Sequence, residues 1–114
     1  DMAEKLVARL ADGGFITQGG PATESVDSPF YEDDGYWRGP IWAPTTLLIW
    51  DGLRKQGEME MARTIAEKFC SLVCKSGMAE NFDARSGRGL RDRAFAWTSA
   101  VYILLTASLS TNQP

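Results

Sequence analysis

A helix with one polar face, set between two helices that have almost none, constrains this chain more than any other feature. Residues from about Glu58 to Lys75 predict that helix: Ala62, Ile65, Ala66, Phe69, Leu72 and Val73 recur at i, i+3, i+4, i+7 spacing. Glu60, Arg63, Glu67, Lys68 and Lys75 take its other side, and Gly77 supplies the stop. Before it, a helix from about Pro44 to Gln56 carries Leu47, Leu48, Ile49, Trp50 and Leu53 nearly all round, with Pro44 suited to the first turn. After it, residues from about Arg93 to Leu109 read as apolar or small on every side, with Asp92 as the N-cap. A further helix, Met2–Ala11, puts Leu6, Val7 and Leu10 on one face and ends at Gly13-Gly14; Asp1 opens partway through it.

A helix that is apolar all round must be enclosed, whereas one with a wet face meets solvent. The alternation therefore predicts an all-α fold: a partial two-layer helical toroid of about four helices, forming two helical hairpins, with two long loops. A simple four-helix bundle would show one stripe on every helix.

The two connections are long for a compact domain. Residues from about Gly13 to Ile41 hold nine glycines and prolines without sustained periodicity. Loops of this length are either functional or disordered, and Phe30, Tyr31, Tyr36 and Trp37 argue against disorder. The second connection, Gly77–Arg91, separates the last two helices.

Charge and cysteine usage remove several function classes. A net charge of −3 gives no electrostatic reason to expect nucleic acid or an anionic membrane surface as partner. The longest apolar run, Phe95–Leu109, is interrupted by Thr98, Ser99, Thr106 and Ser108 and is shorter than the roughly 20 residues a bilayer requires. Localisation stays open. Cys70 and Cys74 stand one helical turn apart in a chain without histidine, too few ligands for a structural zinc site, so no metal or cofactor is expected. Without histidine there is also no Ser-His triad.

Two segments carry the chemistry. Gly35-Tyr36-Trp37-Arg38-Gly39-Pro40-Ile41-Trp42 gathers three large rings around one guanidinium just before a helix. Sugars present apolar C–H faces rimmed by hydroxyls, which flat rings and a rigid donor fork suit. Trp37 and Trp42 read equally well as core anchors, with Arg38 paired to an acidic neighbour. The second segment is Ala79-Glu80-Asn81-Phe82-Asp83, where Glu80 opens a loop. Glycoside hydrolysis generally needs two carboxyl groups, and Glu80 is a candidate for one of them. Asp83 reads as the start of an Asx-type turn through Gly87, and Glu32-Asp33-Asp34 as a solvated turn without calcium-loop spacing.

Taken in order, Tyr36-Trp37-Arg38-Gly39-Pro40-Ile41-Trp42, Asp51-Gly52-Leu53, Glu80-Asn81-Phe82-Asp83-Ala84 with Gly87 and Gly89, and Phe95-Ala96-Trp97-Thr98 resemble the carboxy-terminal portion of glycoside hydrolase family 63 and its bacterial relatives. The resemblance runs from about Phe15 to Leu105. It implies that residues 1–114 form the carboxy-terminal portion of an (α/α)6-barrel catalytic domain of an inverting glycosidase acting on α-linked glucosides or mannosides. Glu80 matches the family's general base. Tyr36, Trp37, Arg38, Gly39 and Trp42 match a motif lining the sugar pocket, with Phe82, Trp97 and Asp83 as weaker site candidates. The implied partners are an oligosaccharide or small glycoside substrate and the remainder of the barrel, which would hold the general acid. A lone base leaves the glycosidic oxygen unprotonated, so the 114-residue chain is expected to be inactive. Apolar helix faces left uncovered are expected to drive self-association. Two alternatives stay open: a sugar-binding module without chemistry, and a helical interaction scaffold in which Trp37, Trp42 and Trp97 are ordinary packing.

Overall fold

The computed structural model describes residues 1–111. Helix α1 spans Met2–Asp12, α2 Ala43–Lys55, α3 Met59–Ser76 and α4 Ala96–Ser110. Between them lie two small antiparallel hairpins absent from the sequence expectation. The first pairs β1 (Ile16–Thr17) with β2 (Gly20–Pro21), and the second pairs β3 (Asn81–Phe82) with β4 (Gly89–Leu90).

Helix α3 organises the core. The six residues of its predicted stripe, Ala62, Ile65, Ala66, Phe69, Leu72 and Val73, are the six it buries. Against this face pack α2, through Trp50 and Leu53, and α4, through Val101 and Leu105. Each such side chain taken fully out of water contributes about 1.5–3 kcal/mol. Helices α2 and α4 also touch each other, so two helices lie side by side with α3 behind them. The result is a flat slab of 36 × 36 × 17 Å, about two helix diameters thick, which fits a wall segment of a helical double layer.

The inner helices are enclosed on one side only. Helix α4 buries Thr98, Val101 and Leu105, while Ile103 and Leu104 are 66% and 52% exposed. On α2, Leu48 faces solvent in the same way. Of the two expected hairpin pairs, α3 and α4 are closely packed. Helix α1 is looser: it buries no residue completely and meets the core through Val7 and Leu10.

Helix starts differ from expectation in two places. Asp1 does not lie inside a helix but caps α1, its Oδ1 accepting the Glu4 N–H at 3.1 Å. Asp92 does not cap α4. Its side chain accepts the Ala94 N–H at 2.9 Å, and the helix begins only at Ala96. The delay arises because the intervening backbone is extended against the second connection, with Phe95 N–H on the Met78 carbonyl and the Asp92 carbonyl receiving the Glu80 N–H.

Candidate active site

The two chemical segments of the sequence are bonded together through their backbones. Ile41 and Phe82 exchange both N–H···O=C bonds, at 2.7 and 3.0 Å, which sets the end of the aromatic motif beside the residues that follow Glu80. Thr98 on α4 donates its buried hydroxyl to the Ala79 carbonyl, and Glu80 N–H reaches Asp92 O at 2.8 Å. Glu80 thus stands on a strand start pinned from three directions, flanked by the buried Ala79 and Asn81.

The aromatic motif reaches the same place through a tight turn. Glu32 and Arg38 close it with a backbone bond of 2.9 Å and a side-chain ion pair of 2.9 Å. Gly39 must be glycine here, because a Cβ would overlap the Glu32 carbonyl oxygen. At the tip, Tyr36 adopts φ 64°, unusual for a residue with a side chain. This conformation brings the Tyr36 hydroxyl to Glu80, where it donates to Oε2 at 3.0 Å across 44 positions of sequence. The bond to the carboxylate, with a smaller contribution from burial, raises the Tyr36 phenol above its ordinary pKa of 10.0.

Behind this pair the rings interlock. Trp42 is completely buried and donates its indole N–H to the Tyr36 carbonyl at 2.8 Å, while the Tyr36 ring meets it edge-on at 4.7 Å. Trp37 stacks on Trp42 and leaves 45% of its surface open. Trp97, 51% exposed, adds a further plane 6.3 Å from Trp42. Of these rings Tyr36 touches the carboxylate, while Trp37 and Trp97 present exposed planes on either side of their contacts with the buried Trp42.

Two of the expected site residues are buried away from any sugar-touching surface. Trp42 and Phe82 have no exposed surface, because large rings next to a helix start bury the most area. They support the wall from beneath, Phe82 against Phe69. Arg38 is occupied by Glu32. Asp83 forms the expected Asx turn, its Oδ1 accepting from Arg85 and Ser86 N–H.

The acidic turn is more than solvated. Glu32, Asp33 and Asp34 each hold an arginine: Arg38 at 2.9 Å, Arg85 at 3.3 Å and Arg91 at 2.7 Å. Two of these arginines come from the second connection, so the turn joins both loops. Sequence reasoning did not single out Arg91. The available signal was charge complementarity between three consecutive acids and the arginines at positions 85, 88, 91 and 93.

A helical double layer here carries a tyrosine-bonded carboxylate and exposed indoles. The model of the mannosylglycerate hydrolase MGH1-like glycoside hydrolase domain matches residues 1–98, and the chain belongs to that family. Mannosylglycerate hydrolase of Thermus thermophilus is 32% identical over 84 residues, covering 72% of this chain and 20% of the relative. A periplasmic trehalase of Xanthomonas oryzae is 35% identical over 117 residues, covering 89% of this chain and 19% of its own length. The crystal structure of family 63 mannosylglycerate hydrolase from Thermus thermophilus in complex with Tris superposes with a TM-score of 0.85 at 26% identity, over 91% of this chain and 25% of that one. The chain thus spans about a fifth of the length of these curated relatives.

Proposed function

We propose that this chain is the carboxy-terminal sector of an inverting glycosidase that hydrolyses α-linked glucosides or mannosides, and that Glu80 is its general base. The observation that carries the reading is the 3.0 Å bond from the Tyr36 hydroxyl to Glu80, which holds the carboxylate at the edge of the exposed indole surface. In the reaction, Glu80 removes a proton from the water that attacks the anomeric carbon. A general acid outside this chain protonates the departing oxygen, and the sugar leaves with inverted configuration. Such a pair stands roughly 6.5–9.5 Å apart with the water between. Trp37 and Trp97 would take the apolar faces of the sugar and Tyr36 its hydroxyls. Relatives named for mannosylglycerate, glucosylglycerate and trehalose hydrolysis support a small α-glycoside or oligosaccharide as substrate.

With only one of the two carboxyl groups, the 114-residue chain by itself has no turnover. In the full-length protein, Glu80→Gln removes about 10²–10⁴-fold of kcat while sugar binding persists. Unchanged turnover in that variant would exclude Glu80 as the base.

A non-catalytic sugar-binding or scaffolding module is the competing reading. The burial of Trp42 and Phe82 and the Arg38–Glu32 pair favour it, since these side chains are engaged in structure. It leaves the placement of Glu80 without a purpose.

A further inference from the structure

We propose that Arg91 is the positioning residue of this site, a strut that holds the Tyr36 hydroxyl on Glu80 by joining the backbone neighbours of both. Its catalytic consequence rests on Glu80 being the general base; its mechanical role does not.

The Tyr36–Glu80 bond joins side chains of two long loops, and a single hydrogen bond between half-exposed groups does not by itself fix a side chain against thermal motion. The Ile41–Phe82 backbone pair and the Asp33–Arg85 ion pair join the same loops elsewhere, whereas Arg91 joins them next to the bond itself. Its Nη1 is 2.7 Å from Asp34 Oδ1 and 3.0 Å from Asn81 Oδ1, and its Nη2 is 3.4 Å from the Asp34 carbonyl. Asp34 lies two residues before Tyr36, and Asn81 directly follows Glu80. The guanidinium also lies over the Tyr36 ring, 4.9 Å from its centroid. One planar fork therefore grips both loops and presses on the ring between them.

Two further observations point the same way. Among the described residues, Tyr36 and Arg91 are the two non-glycine residues at positive φ, 64° and 65°, and they touch each other. Strained backbone of this kind persists where the surroundings over-determine it, and it clusters where side chains must be aimed. Asn81 is completely buried, and its Nδ2 has no partner among the described residues. The Arg91 bond to Oδ1 is thus the polar contact that its side-chain amide makes. Without it, the residue adjoining Glu80 loses that anchor.

The test reads the Tyr36 phenol, because the two roles open to Arg91 move it in opposite directions. Glu80 raises the Tyr36 pKa through the hydrogen bond, whereas the Arg91 charge lowers it. If Arg91 were only a nearby charge, Arg91→Ala would raise that pKa further. If Arg91 is a strut, the variant lets the hydroxyl leave Glu80, and the pKa falls toward 10.0. The measurement is an NMR titration of the full-length protein labelled at the tyrosine ring carbon, with Tyr36→Phe for assignment and Glu80→Gln as the control for a lost carboxylate. Arg91→Lys serves if Arg91→Ala does not fold. It keeps the charge without the fork and should lower the Tyr36 pKa. A rise, or no change, overturns the proposal. In the full-length protein, Arg91→Lys is expected to lower kcat about 10–100-fold with little change in KM. Should the Tyr36 pKa fall while Glu80→Gln leaves turnover intact, the strut stands and the base assignment fails.

Discussion

The indole of Trp37 lies on that of Trp42, with 3.8 Å between ring centroids and 15° between planes, and of the two only Trp37 meets solvent. One ring is therefore structure and the other is surface, although they are five residues apart in one motif. Trp42→Ala is expected to cost about 3–5 kcal/mol in urea denaturation. Trp37→Ala removes mainly the stacking contribution of about 0.5–1.5 kcal/mol. In the full-length protein, Trp37→Ala should also weaken sugar binding while stability is largely kept. Equal destabilisation by the two variants would contradict this division of labour.

Alkaline conditions should destabilise the chain through named groups. Tyr36 is raised above 10.0 by its bond to Glu80, and Tyr102 by its contact with the Cys74 thiol. Tyr31 and Cys70 are raised chiefly by burial, Cys70 from an ordinary 9.0. Each holds its proton more tightly folded than unfolded, so the unfolded chain releases protons first as pH rises. The stability these groups contribute is complete below pH 9 and is lost through the range above 9–10. Urea midpoints measured between pH 7 and pH 11 should decline only in the upper half, and Tyr36→Phe should flatten part of that decline.

How much of this was legible in the residues varies with the physics that fixes each part. The stripe of α3 was readable because a helix repeats its buried face every turn, so six residues report one fact six times. The hairpins Ile16–Thr17/Gly20–Pro21 and Asn81–Phe82/Gly89–Leu90 were not, because two residues per strand carry no alternation. Asp92 has the chemistry of an N-cap, but tertiary pairing to Met78 holds the next residues extended and moves the helix start. Glu80 and Tyr36 were each singled out from their own segments and then matched to a family pattern, but their contact is 44 positions long, and no local rule reaches that far. For Arg91 the one signal was charge complementarity with the acidic turn, which does not single it out from Arg85, Arg88 and Arg93.

Association of the isolated chain should run through α4. Trp97, Ile103 and Leu104 lie exposed on a helix whose opposite face is packed. The prediction is concentration-dependent oligomers in sedimentation, shifted to monomer by Ile103→Glu with Leu104→Lys at unchanged helicity. A monomer for the unaltered chain at high concentration would remove the basis for this expectation.

The two thiols should differ in reactivity despite standing one turn apart on α3. Cys74 is exposed, with its sulfur 3.4 Å from the Tyr102 hydroxyl, whereas Cys70 is half buried against Thr106 and burial raises its pKa. A disulfide reagent at pH 8 should react in two phases, and Cys74→Ser should remove the faster one. A single phase of double amplitude would mean that the packing between α3 and α4 opens faster than the thiols react.

The turn at Glu32-Asp33-Asp34 sets a limit on the length of its own loop. Surface connections ordinarily accept added or deleted residues at small cost. Here Asp33 and Asp34 must meet guanidinium groups held on the other loop, while Glu32 pairs with Arg38 within the turn. One extra residue between Pro29 and Asp33 would displace both cross-loop carboxylates by a position and mismatch them together. A segment that reads as a tolerant surface loop is thus gauged to the residue.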